Sequence, residues 1–374
     1  MLNSPNPPES AALYPRYLEL TMPAGALDAL MKPTLQLLAQ RRDKDSSPLR
    51  IGIVLFAGDH GVARAHSVSA YPAEVTPQMV ANIVAGGAAI SQLAQRRGAQ
   101  LWVCDVGVAA GFDELLSLSP GKGIRYRRAN LHQTFPGGGH EYGAADISSR
   151  PALSAEAHAH CWKTGGEVVD EFLAQNKCDV LILGEMGIGN TTAASALASL
   201  VLDKNVDKCV GRGTGIDDAA LLIKKKVVAA AVERARHALA ENVVNDGERA
   251  HALLREVGGA ELSAIAGAAW RAAEKGCFVL LDGLIVTAAV TPHAISNATF
   301  AQWLMASHQS AELVHEHLLN ALGLNPLLKL GLRLGEGSGA ALAAGLLQDA
   351  DTLLRTMATF SSARVSSRSA ADEI

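Results

Sequence analysis

The stretch LGEGSGAAL at 334–342 holds one carboxylate, Glu336, between two glycines and ahead of a run of small apolar residues. Acidic side chains are rarely buried without a partner, and glycine neighbours provide no side chain to shield one. In a tight apolar loop the charged form is disfavoured, so the pKa of this carboxyl should rise from about 4.3 and suit a general base. An acid at the N-terminus of a helix, before SGAALAAGLL, would give the same pattern because the helix dipole stabilises it, and both interpretations can hold at once.

The segment GEMGIGNTT at 184–192 has the composition of an anion-binding loop that leads into a helix. Backbone N–H groups at a helix start, with the helix dipole behind them, bind anions. The spacing resembles the phosphate loop of nucleotide hydrolases, but Asn190 stands where that loop has its lysine. A triphosphate with Mg²⁺ is therefore disfavoured and a phosphomonoester remains possible. An Asn-capped helix with a flexible entrance explains the segment equally well.

A second glycine-rich segment, GRGTGIDD at 211–218, precedes a helical pattern with three consecutive lysines at 224–226. Three consecutive side chains cannot share one helix face, so most of this run should be solvated, with one lysine at most turned inward toward a phosphate. The GxGxG pattern in LGEGSGA lacks a preceding strand of the βαβ type and a matching downstream acid. As a dinucleotide-binding fingerprint it is weak.

The spacing of His308, Glu312 and His315 predicts one face of a helix that could hold a metal ion. Such a stripe is more often a half-exposed face with an ion pair, and we predict no metal. The sequence also has no HExxH motif, no zinc-type set of cysteines and no GxSxG motif. It therefore gives no support for hydrolysis by a nucleophilic serine or cysteine.

The elements that must position these residues follow from an alternating pattern. From Ile51 onward, short β-rich runs alternate with Ala-rich helical patterns, which predicts an α/β fold with a parallel sheet flanked by helices. Five strand-like runs each end at glycine with a carboxylate, a histidine or a serine: IGIVLF, QLWVCD, DVLIL, CFVLL and FAQWLM. Because ligands bind beyond the carboxyl ends of parallel strands, these loops predict one shared pocket. The alternative is that glycine and aspartate merely terminate the strands.

Composition excludes several classes of protein. Hydrophobic residues make up 49% of the chain, aromatic residues only 4%, and the net charge is -4, with a pI near 6.3. The chain can therefore bury a sizeable core, and it has no basic surface for a nucleic-acid partner. Five cysteines without a CxxC pair indicate reduced, buried thiols in a cytosolic protein. No apolar run is long enough to cross a bilayer, so we expect a soluble, cytoplasmic protein with no membrane partner.

The glycine-rich segments occur together with further motifs in one order along residues 51–346. These are DHGV (59–62), VSAYPAEVT (68–76), GGAAI (86–90), VCDVGV (103–108), LLDGLIVTAAV (280–290), SHQSAE (307–312) and LRLGEGSGAAL (332–342). In this combination the chain resembles the nicotinate-nucleotide:dimethylbenzimidazole phosphoribosyltransferases, the CobT family of cobalamin synthesis.

The resemblance implies a reaction. The phosphoribosyl group of nicotinate mononucleotide moves to a ring nitrogen of 5,6-dimethylbenzimidazole, which gives α-ribazole 5′-phosphate and nicotinate. Glu336 would be the general base that accepts the benzimidazole N–H proton. The resemblance further implies no cofactor, a homodimer, an α/β domain at 49–346, and a small helical domain built from 1–48 and 347–374. From composition, the first ten residues are expected to be disordered and the end of the chain to fray.

The resemblance also assigns binding residues by motif. On the nucleotide and phosphate side these are Glu185, Gly187, Asn190, Thr191, Thr192, Gly211, Gly213, Lys224, Ser307, His308 and Ser310. Lys224 is distinguished from its two lysine neighbours by its distance after GRGTGIDD. The positions at which the family lines its benzimidazole pocket are occupied by Ser69, Tyr71 and Met79.

The chain departs from the family near its N-terminus, where the KPxGSLGxLE pattern of many members is reduced to Lys32 and Pro33. The segment 130–148 is also unusual around its glycine triplet. Neither departure includes Glu336, so activity is expected, whereas the preferred ring acceptor stays open. Two alternatives remain: a non-catalytic protein that binds a benzimidazole nucleoside or its phosphate, and a dinucleotide-dependent oxidoreductase supported by the GxGxG pattern alone.

Overall fold

The structure of the chain is a computed structural model that describes residues 2–41, 47–109, 119–129, 132–134, 140–242 and 245–366. Within these residues the central sheet has six parallel strands in the order β3-β2-β1-β6-β7-β8. They are β1 (Ile51–Gly58), β2 (Gln100–Gly107), β3 (Ile124–Arg128), β6 (Val180–Met186), β7 (Phe278–Leu281) and β8 (Leu304–Ala306). A separate antiparallel pair is formed by β4 (His132–Thr134) and β5 (His140–Tyr142).

Helices flank the sheet. The first group comprises α1 (Tyr14–Leu18), α2 (Asp28–Leu38), α3 (Gly61–Ala65), α4 (Val75–Ala85), α5 (Ala89–Arg97), α6 (Ala155–Gln175), α7 (Asn190–Val201) and α8 (Asp218–Asn242). The second comprises α9 (Asp246–Val257), α10 (Ala260–Glu274), α11 (Leu284–Ser296), α12 (Ala298–Ala301), α13 (His315–Ala321), α14 (Ser338–Thr356) and α15 (Phe360–Ala363). Two short 3-10 helices are Pro8–Ser10 and Val206–Lys208.

The predicted α/β fold with a parallel sheet is confirmed. The central strands β1 and β6 are buried along their whole length, which explains why their sequences are continuous apolar runs rather than alternating ones. All five predicted runs contain a strand. The run FAQWLM contributes only Leu304 and Met305 to β8, because a short helix, Ala298–Ala301, occupies its first residues. Asn297 caps this helix, with its Oδ1 accepting from the Phe300 N–H at 2.9 Å.

The edge strand β3 was missed because its sequence, IRYRR, is mostly charged. It pairs with β2 on one side only, and the Arg125 guanidinium lies 4.3 Å from the centroid of the Trp102 ring. A cation over an aromatic ring makes arginine compatible with a half-buried edge strand. The hairpin β4–β5 was also not predicted, and the glycine triplet at 137–139 lies outside the described residues.

Both ends of the described chain pack together. Helix α2 packs against α14, the Arg16 Nε donates to the Leu354 carbonyl at 2.9 Å, and Leu20 pairs with Thr359 in an isolated bridge. This packing fits the small helical domain inferred from the resemblance. The boundaries 1–48, 49–346 and 347–374 stay a prediction. Most of the charged link at 41–48 and the tail from 367 onward lie outside the described residues.

The prediction of disorder for the first ten residues is wrong for those described. Asn6 donates from its side-chain amide to the Ala39 carbonyl at 3.0 Å, and Trp303 donates from its indole N–H to the Asn3 carbonyl at 2.8 Å. Polar, proline-rich composition indicated a solvated segment, but here the backbone carbonyls and amide side chains bind the end of α2 and the loop before β8. Among the described helices, none combines the length and the apolar composition needed to span a bilayer.

Candidate active site

A cavity of about 320 Å³ opens beyond the carboxyl ends of β6, β7 and β8. Its apolar wall comes from Val75, Met79, Ile188, Leu284 and Ile285, and its polar groups from the loops after the three strands and from residues 333–336. Three of the five loops in the predicted shared pocket therefore line the cavity. The loop after β1 lies beneath it, because His60 is fully buried against Glu261 with 2.6 Å between Nε2 and Oε1. The described part of the loop after β2 is not among the lining residues.

The loop that carries Glu336 has three consecutive residues in the left-handed region. The φ angles are +85° for Gly335, +64° for Glu336 and +84° for Gly337. A left-handed non-glycine residue is uncommon and costs conformational energy, so surrounding contacts must hold it. Helix α14 begins only at Ser338, with Gly337 as its N-cap, so Glu336 lies outside the first turn. It lies directly before the helix, as the alternative interpretation of a helix N-terminal acid requires, and this position is compatible with the role of a base.

Glu336 is buried, with 6% of its surface exposed, yet its Oε2 has no hydrogen-bond partner among the described residues. Desolvation raises the pKa of this carboxyl, the nearby charge of Asp282 raises it further, and a hydrogen bond from the Ile90 backbone N–H partly offsets the rise. Glu336 thus has the geometry and the proton affinity expected from its sequence: one anchored oxygen and one oxygen open to a proton.

Two more buried carboxylates, Glu185 and Asp282, line the same cavity. The Glu185 Oε2 accepts from the Asn190 side-chain amide, and its Oε1 accepts from the Glu336 backbone N–H at 3.3 Å. Burial raises the pKa of Glu185 well above its usual value, and the Asp282 charge adds to this. Burial likewise raises the pKa of Asp282, while the nearby His308 works in the opposite direction.

Gly184 allows the Glu336 loop to approach the end of β6. A Cβ at this position would lie 2.5 Å from the Glu336 carbonyl oxygen, which is a backbone atom and cannot rotate away. We expect Gly184→Ala to displace the loop and to lower kcat by ~10-fold or more, because misplacement by about 1 Å can cost that much. The steady-state rate of the purified variant measures this effect.

Gly166→Ala is the matched control for this substitution. It lies in α6, and its added Cβ would meet only the side chain of Arg271, at 3.6 Å. Alanine is also the better helix former, so this variant should keep wild-type rate and stability. Equal rates in Gly184→Ala and wild type would contradict a tightly seated loop.

Residues suited to bind an anion lie at the start of α7, next to the carboxylate of Glu185, which accepts from the Asn190 side-chain amide. Gly189 has a φ of +100° and precedes α7, and the Ile188 backbone N–H is held by the Thr76 hydroxyl at 3.0 Å. Lys224 is fully buried and donates from Nζ to the Thr191 hydroxyl at 2.8 Å. Burial lowers the pKa of this lysine to about 8. A helix start, glycine backbone and a buried amine together form a site suited to a phosphate group.

The structure brings most of the predicted binding residues together. The lining of the cavity includes Tyr71, Met79, Glu185, Gly187, Asn190, Thr191, Gly213, His308, Ser310 and Glu336. The other five lie next to it and not in its wall: Ser69, Thr192, Gly211, Lys224 and Ser307.

Each of the five has a definite place. The Ser69 hydroxyl accepts from the Tyr71 backbone N–H at 3.1 Å, and the Ser307 hydroxyl lies 2.9 Å from the Nδ1 of the lining His308. Thr192 is buried in α7, and Lys224 lies behind Thr191. Gly211 lines a neighbouring cavity of about 310 Å³, which shares Gly213, Glu312 and Arg333 with the first.

Three charged lining residues were missed as site residues: Asp282, Glu312 and Arg333. Asp282 follows the apolar run CFVLL, and the rule that strand ends face the ligand could have identified it. Glu312 and Arg333 lie inside the motifs SHQSAE and LRLGEGSGAAL, but their spacing alone gives no physical reason to choose them.

The predicted helix face of His308, Glu312 and His315 does not form. Helix α13 begins at His315, so His308 and Glu312 are not on a helix with it. His315 is buried, its Nδ1 accepts from the Ser310 backbone N–H at 2.9 Å, and its Nε2 lies 3.0 Å from the Thr287 hydroxyl. Both ring nitrogens are thus used for structure. In the part of the chain that the structure describes, no cluster of three or more potential ligands could hold a metal ion.

A family model described as phosphoribosyltransferase matches residues 2–365. The chain belongs to this phosphoribosyltransferase family. Its relatives include the nicotinate-nucleotide–dimethylbenzimidazole phosphoribosyltransferase of Pseudomonas aeruginosa, 41% identical over 353 residues, which are 94% of this chain and 92% of the relative. The enzyme of the same name from Mycolicibacterium paratuberculosis is 41% identical over 372 residues, 99% of this chain and 98% of the relative.

Solved structures agree with the family membership of this phosphoribosyltransferase. A crystal structure of CobT from Thermus thermophilus matches with a TM-score of 0.77 and 38% identity, over 95% of this chain and 98% of that one. A second, of the nicotinate-nucleotide–dimethylbenzimidazole phosphoribosyltransferase from the same organism, has a TM-score of 0.78 and 37% identity, over 97% and 100%. The resemblance inferred from the sequence motifs is confirmed, and the protein is an enzyme of the glycosyltransferase type.

Proposed function

We propose that this protein transfers the phosphoribosyl group of nicotinate mononucleotide to 5,6-dimethylbenzimidazole, giving α-ribazole 5′-phosphate and nicotinate for the lower ligand of cobalamin. The activity after which its relatives are named supports these substrates. The observation that carries the proposal is the Oε2 of a buried Glu336, which has no partner among the described residues, in a cavity that is also lined by Asn190 and Thr191 at the start of α7.

The reaction needs one base and no acid. One ring nitrogen of the benzimidazole attacks the anomeric carbon of ribose, and the bond from that carbon to the pyridine nitrogen breaks. The electron pair of the breaking bond neutralises the cationic pyridinium, so nicotinate leaves without protonation. The N–H proton on the other ring nitrogen of the benzimidazole passes to the Glu336 carboxylate, which completes the balance of charge.

The remaining work is positioning. The start of α7, the Gly213 backbone and the buried Lys224 lie where they can hold the 5′-phosphate. The apolar wall, which includes Met79 and Ile188, suits a flat hydrophobic ring, and the cavity of about 320 Å³ is within the usual size of small-molecule sites. Fixing both rings relative to the ribose turns a bimolecular encounter into an oriented reaction.

The test is a chromatographic assay of the purified protein with nicotinate mononucleotide and 5,6-dimethylbenzimidazole. We expect equimolar nicotinate and α-riboside phosphate. A protein that binds the ring but forms no product with any benzimidazole or purine acceptor would instead be a non-catalytic binding homologue. Binding of NADH at micromolar concentration, without product, would favour the oxidoreductase alternative.

The pH dependence gives a second check. Because burial raises the pKa of Glu336, its basic form is lost as pH falls, and this loss begins at a higher pH than for an exposed glutamate. We expect kcat/KM to fall on the acid side with an apparent pKa above 4.5. The ring acceptor also takes up protons, so the profile is measured with two acceptors of different basicity. If the apparent pKa on the acid side of the kcat/KM profile changes with the basicity of the acceptor, the titrating group is the acceptor and not Glu336.

We also propose that the enzyme is a cytoplasmic homodimer. The five cysteines are all unpaired, which supports a reducing compartment. Leu313, Leu330 and Leu334 are exposed by 63%, 64% and 59%, and Leu334 lines the cavity, which supports a second copy covering this apolar surface. Light scattering after gel filtration should give about twice the chain mass of 39.0 kDa.

A further inference from the structure

Asp282 connects the end of β7 to the loop that carries the base. It directly follows the buried run FVLL, and only 2% of its surface is exposed. Its Oδ2 accepts from the Gly337 backbone N–H at 3.2 Å, and its Oδ1 accepts from the Ala340 backbone N–H at 2.9 Å. Helix α14 has no side-chain cap of its own, because Gly337 is its N-cap residue. Asp282 therefore supplies from the sheet the cap that the helix lacks.

The left-handed peptide of Glu336 is consequently held from two strands. Glu185 at the end of β6 accepts its backbone N–H at 3.3 Å, and Asp282 at the end of β7 accepts the N–H of the next residue. Both acceptors are buried carboxylates, whose bonds to backbone N–H groups are stronger than neutral ones. A residue with φ of +64° persists only where its surroundings fix it, and these two bonds are the fixing contacts.

The charges around this loop are mostly negative. Glu185, Asp282 and Glu336 meet at the cavity, with Glu312 and Arg333 further along its wall. His308 approaches Asp282 with 3.8 Å between Nδ1 and Oδ1, and burial lowers the pKa of this histidine while the charge of Asp282 partly offsets the decrease. Burial raises the pKa of both Glu185 and Glu336, and the charge of Asp282 raises both further.

We propose that Asp282 is a positioning residue for the proton transfer: it ties the loop of Glu336 to the end of β7 and places a fixed negative charge behind the base. This inference rests on the proposed function of Glu336. It assigns Asp282 no contact with the reacting atoms. Its two effects, on the geometry of the loop and on the proton affinity of the base, are separable by substitution.

Asp282→Asn removes the charge and turns an N–H₂ group toward one of the two backbone donors. We expect kcat to fall by ~10-fold or more and the acid limb of kcat/KM to move to lower pH, because Glu336 loses the neighbouring charge that favours its protonation. Asp282→Glu keeps the charge but shifts the carboxylate by one methylene. It should lower kcat and leave the acid limb in place. KM for nicotinate mononucleotide should change less than kcat in both variants.

Asp351→Asn is the matched control. Asp351 lies in α14, the helix that Asp282 caps. It is 1% exposed and its side chain accepts the Leu49 backbone N–H at 2.8 Å, but it is not among the residues that line the cavity. This variant should lose stability as Asp282→Asn does and keep the wild-type acid limb. If the acid limb of kcat/KM shifts in Asp351→Asn as well, the shift in Asp282→Asn would reflect lost stability and not the charge beside Glu336.

An unchanged acid limb in Asp282→Asn would overturn the electrostatic part of the proposal, and an unchanged kcat in Asp282→Glu would overturn the positioning part. If Asp282→Asn does not fold, the kcat of Asp282→Glu still decides the positioning part. The proposed function is tested separately by product formation in the wild type. If the wild type forms no product, carbon-13 NMR titration of the Glu336 carboxyl in the wild type and in Asp282→Asn still reports whether Asp282 controls the protonation of Glu336.

Discussion

Glu336→Gln should lower kcat by ~10²-fold or more while the fold stays intact. Glutamine preserves the shape of the side chain, and its carbonyl can still accept from the Ile90 backbone N–H, but it cannot take a proton from the ring acceptor. Nicotinate release under saturating substrates measures the loss. Glu336→Asp keeps a carboxylate on a side chain that is one methylene shorter, so its kcat should lie between those of the wild type and Glu336→Gln. A Gln variant with more than a tenth of the wild-type rate would show that another group accepts the proton.

The same substitution should not destabilise the protein at neutral pH. Because burial raises the pKa of Glu336, folding opposes its ionisation, and the stability that the protonated form provides is lost as pH rises through the folded-state pKa. The wild type carries this cost at pH 8 and the Gln variant does not. Thermal unfolding at pH 8 should therefore give an equal or higher Tm for the variant, and the difference should shrink as the pH falls. A lower Tm accompanied by lost activity would point to a damaged loop instead.

Lys224→Met should raise the KM for nicotinate mononucleotide by ~10-fold or more and change kcat less. The Nζ of Lys224 reaches the cavity wall through the Thr191 hydroxyl at 2.8 Å, so its loss removes a cation from the phosphate side. Methionine fills a similar volume, which avoids a cavity. Initial rates at varied concentrations of nicotinate mononucleotide measure KM and kcat separately. Lys226→Met, two residues further along the same helix and exposed, is the control and should behave as wild type.

The pH dependence of this variant separates binding from packing. A lysine pKa lowered to about 8 means that folding disfavours the charged amine, by about 3 kcal/mol when it is fully charged. This cost is complete below pH 8 and disappears as pH rises toward 10.5, so Lys224→Met should be more stable than wild type near pH 7. In the wild type, KM should rise above pH 8 as the amine loses its proton. A wild-type KM that is flat through pH 9 would argue against a contact between this lysine and phosphate.

The site was predictable from sequence where backbone chemistry dictates position. Glycine with a polar residue after a buried strand placed the loops after β6, β7 and β8 at one edge of the sheet. The glycines around Glu336 signalled a strained carboxylate loop, and the φ angles of +85° and +84° at Gly335 and Gly337 are the reason that only glycine fits there. The lysine run at 224–226 was also informative, since a helix can turn one of three neighbours inward, and Lys224 is that one.

Other features depended on contacts between distant parts of the chain. The hydrogen bond from the Ala340 backbone N–H to Asp282 joins residues 58 positions apart, and no local sequence pattern predicts it. The spacing of His308, Glu312 and His315 matched a helix, but the backbone before His315 is irregular, so the period was misleading. The loop after β1 was expected in the pocket and instead buries His60 against Glu261, a partner far along the chain.

The packing of α2 against α14 has a consequence for how the protein is made. Helix α2 precedes all the strands of the sheet in the chain, whereas α14 follows all of them. At a synthesis rate of ~5–20 residues per second, the two are separated by roughly 15–60 s. During that interval the apolar face of α2, which includes Met31, Leu35 and Leu38, lacks the helix that later covers it. The loop of Glu336 directly precedes α14. The apolar face of α2 is therefore covered, and the proposed base added to the chain, at the same stage of synthesis.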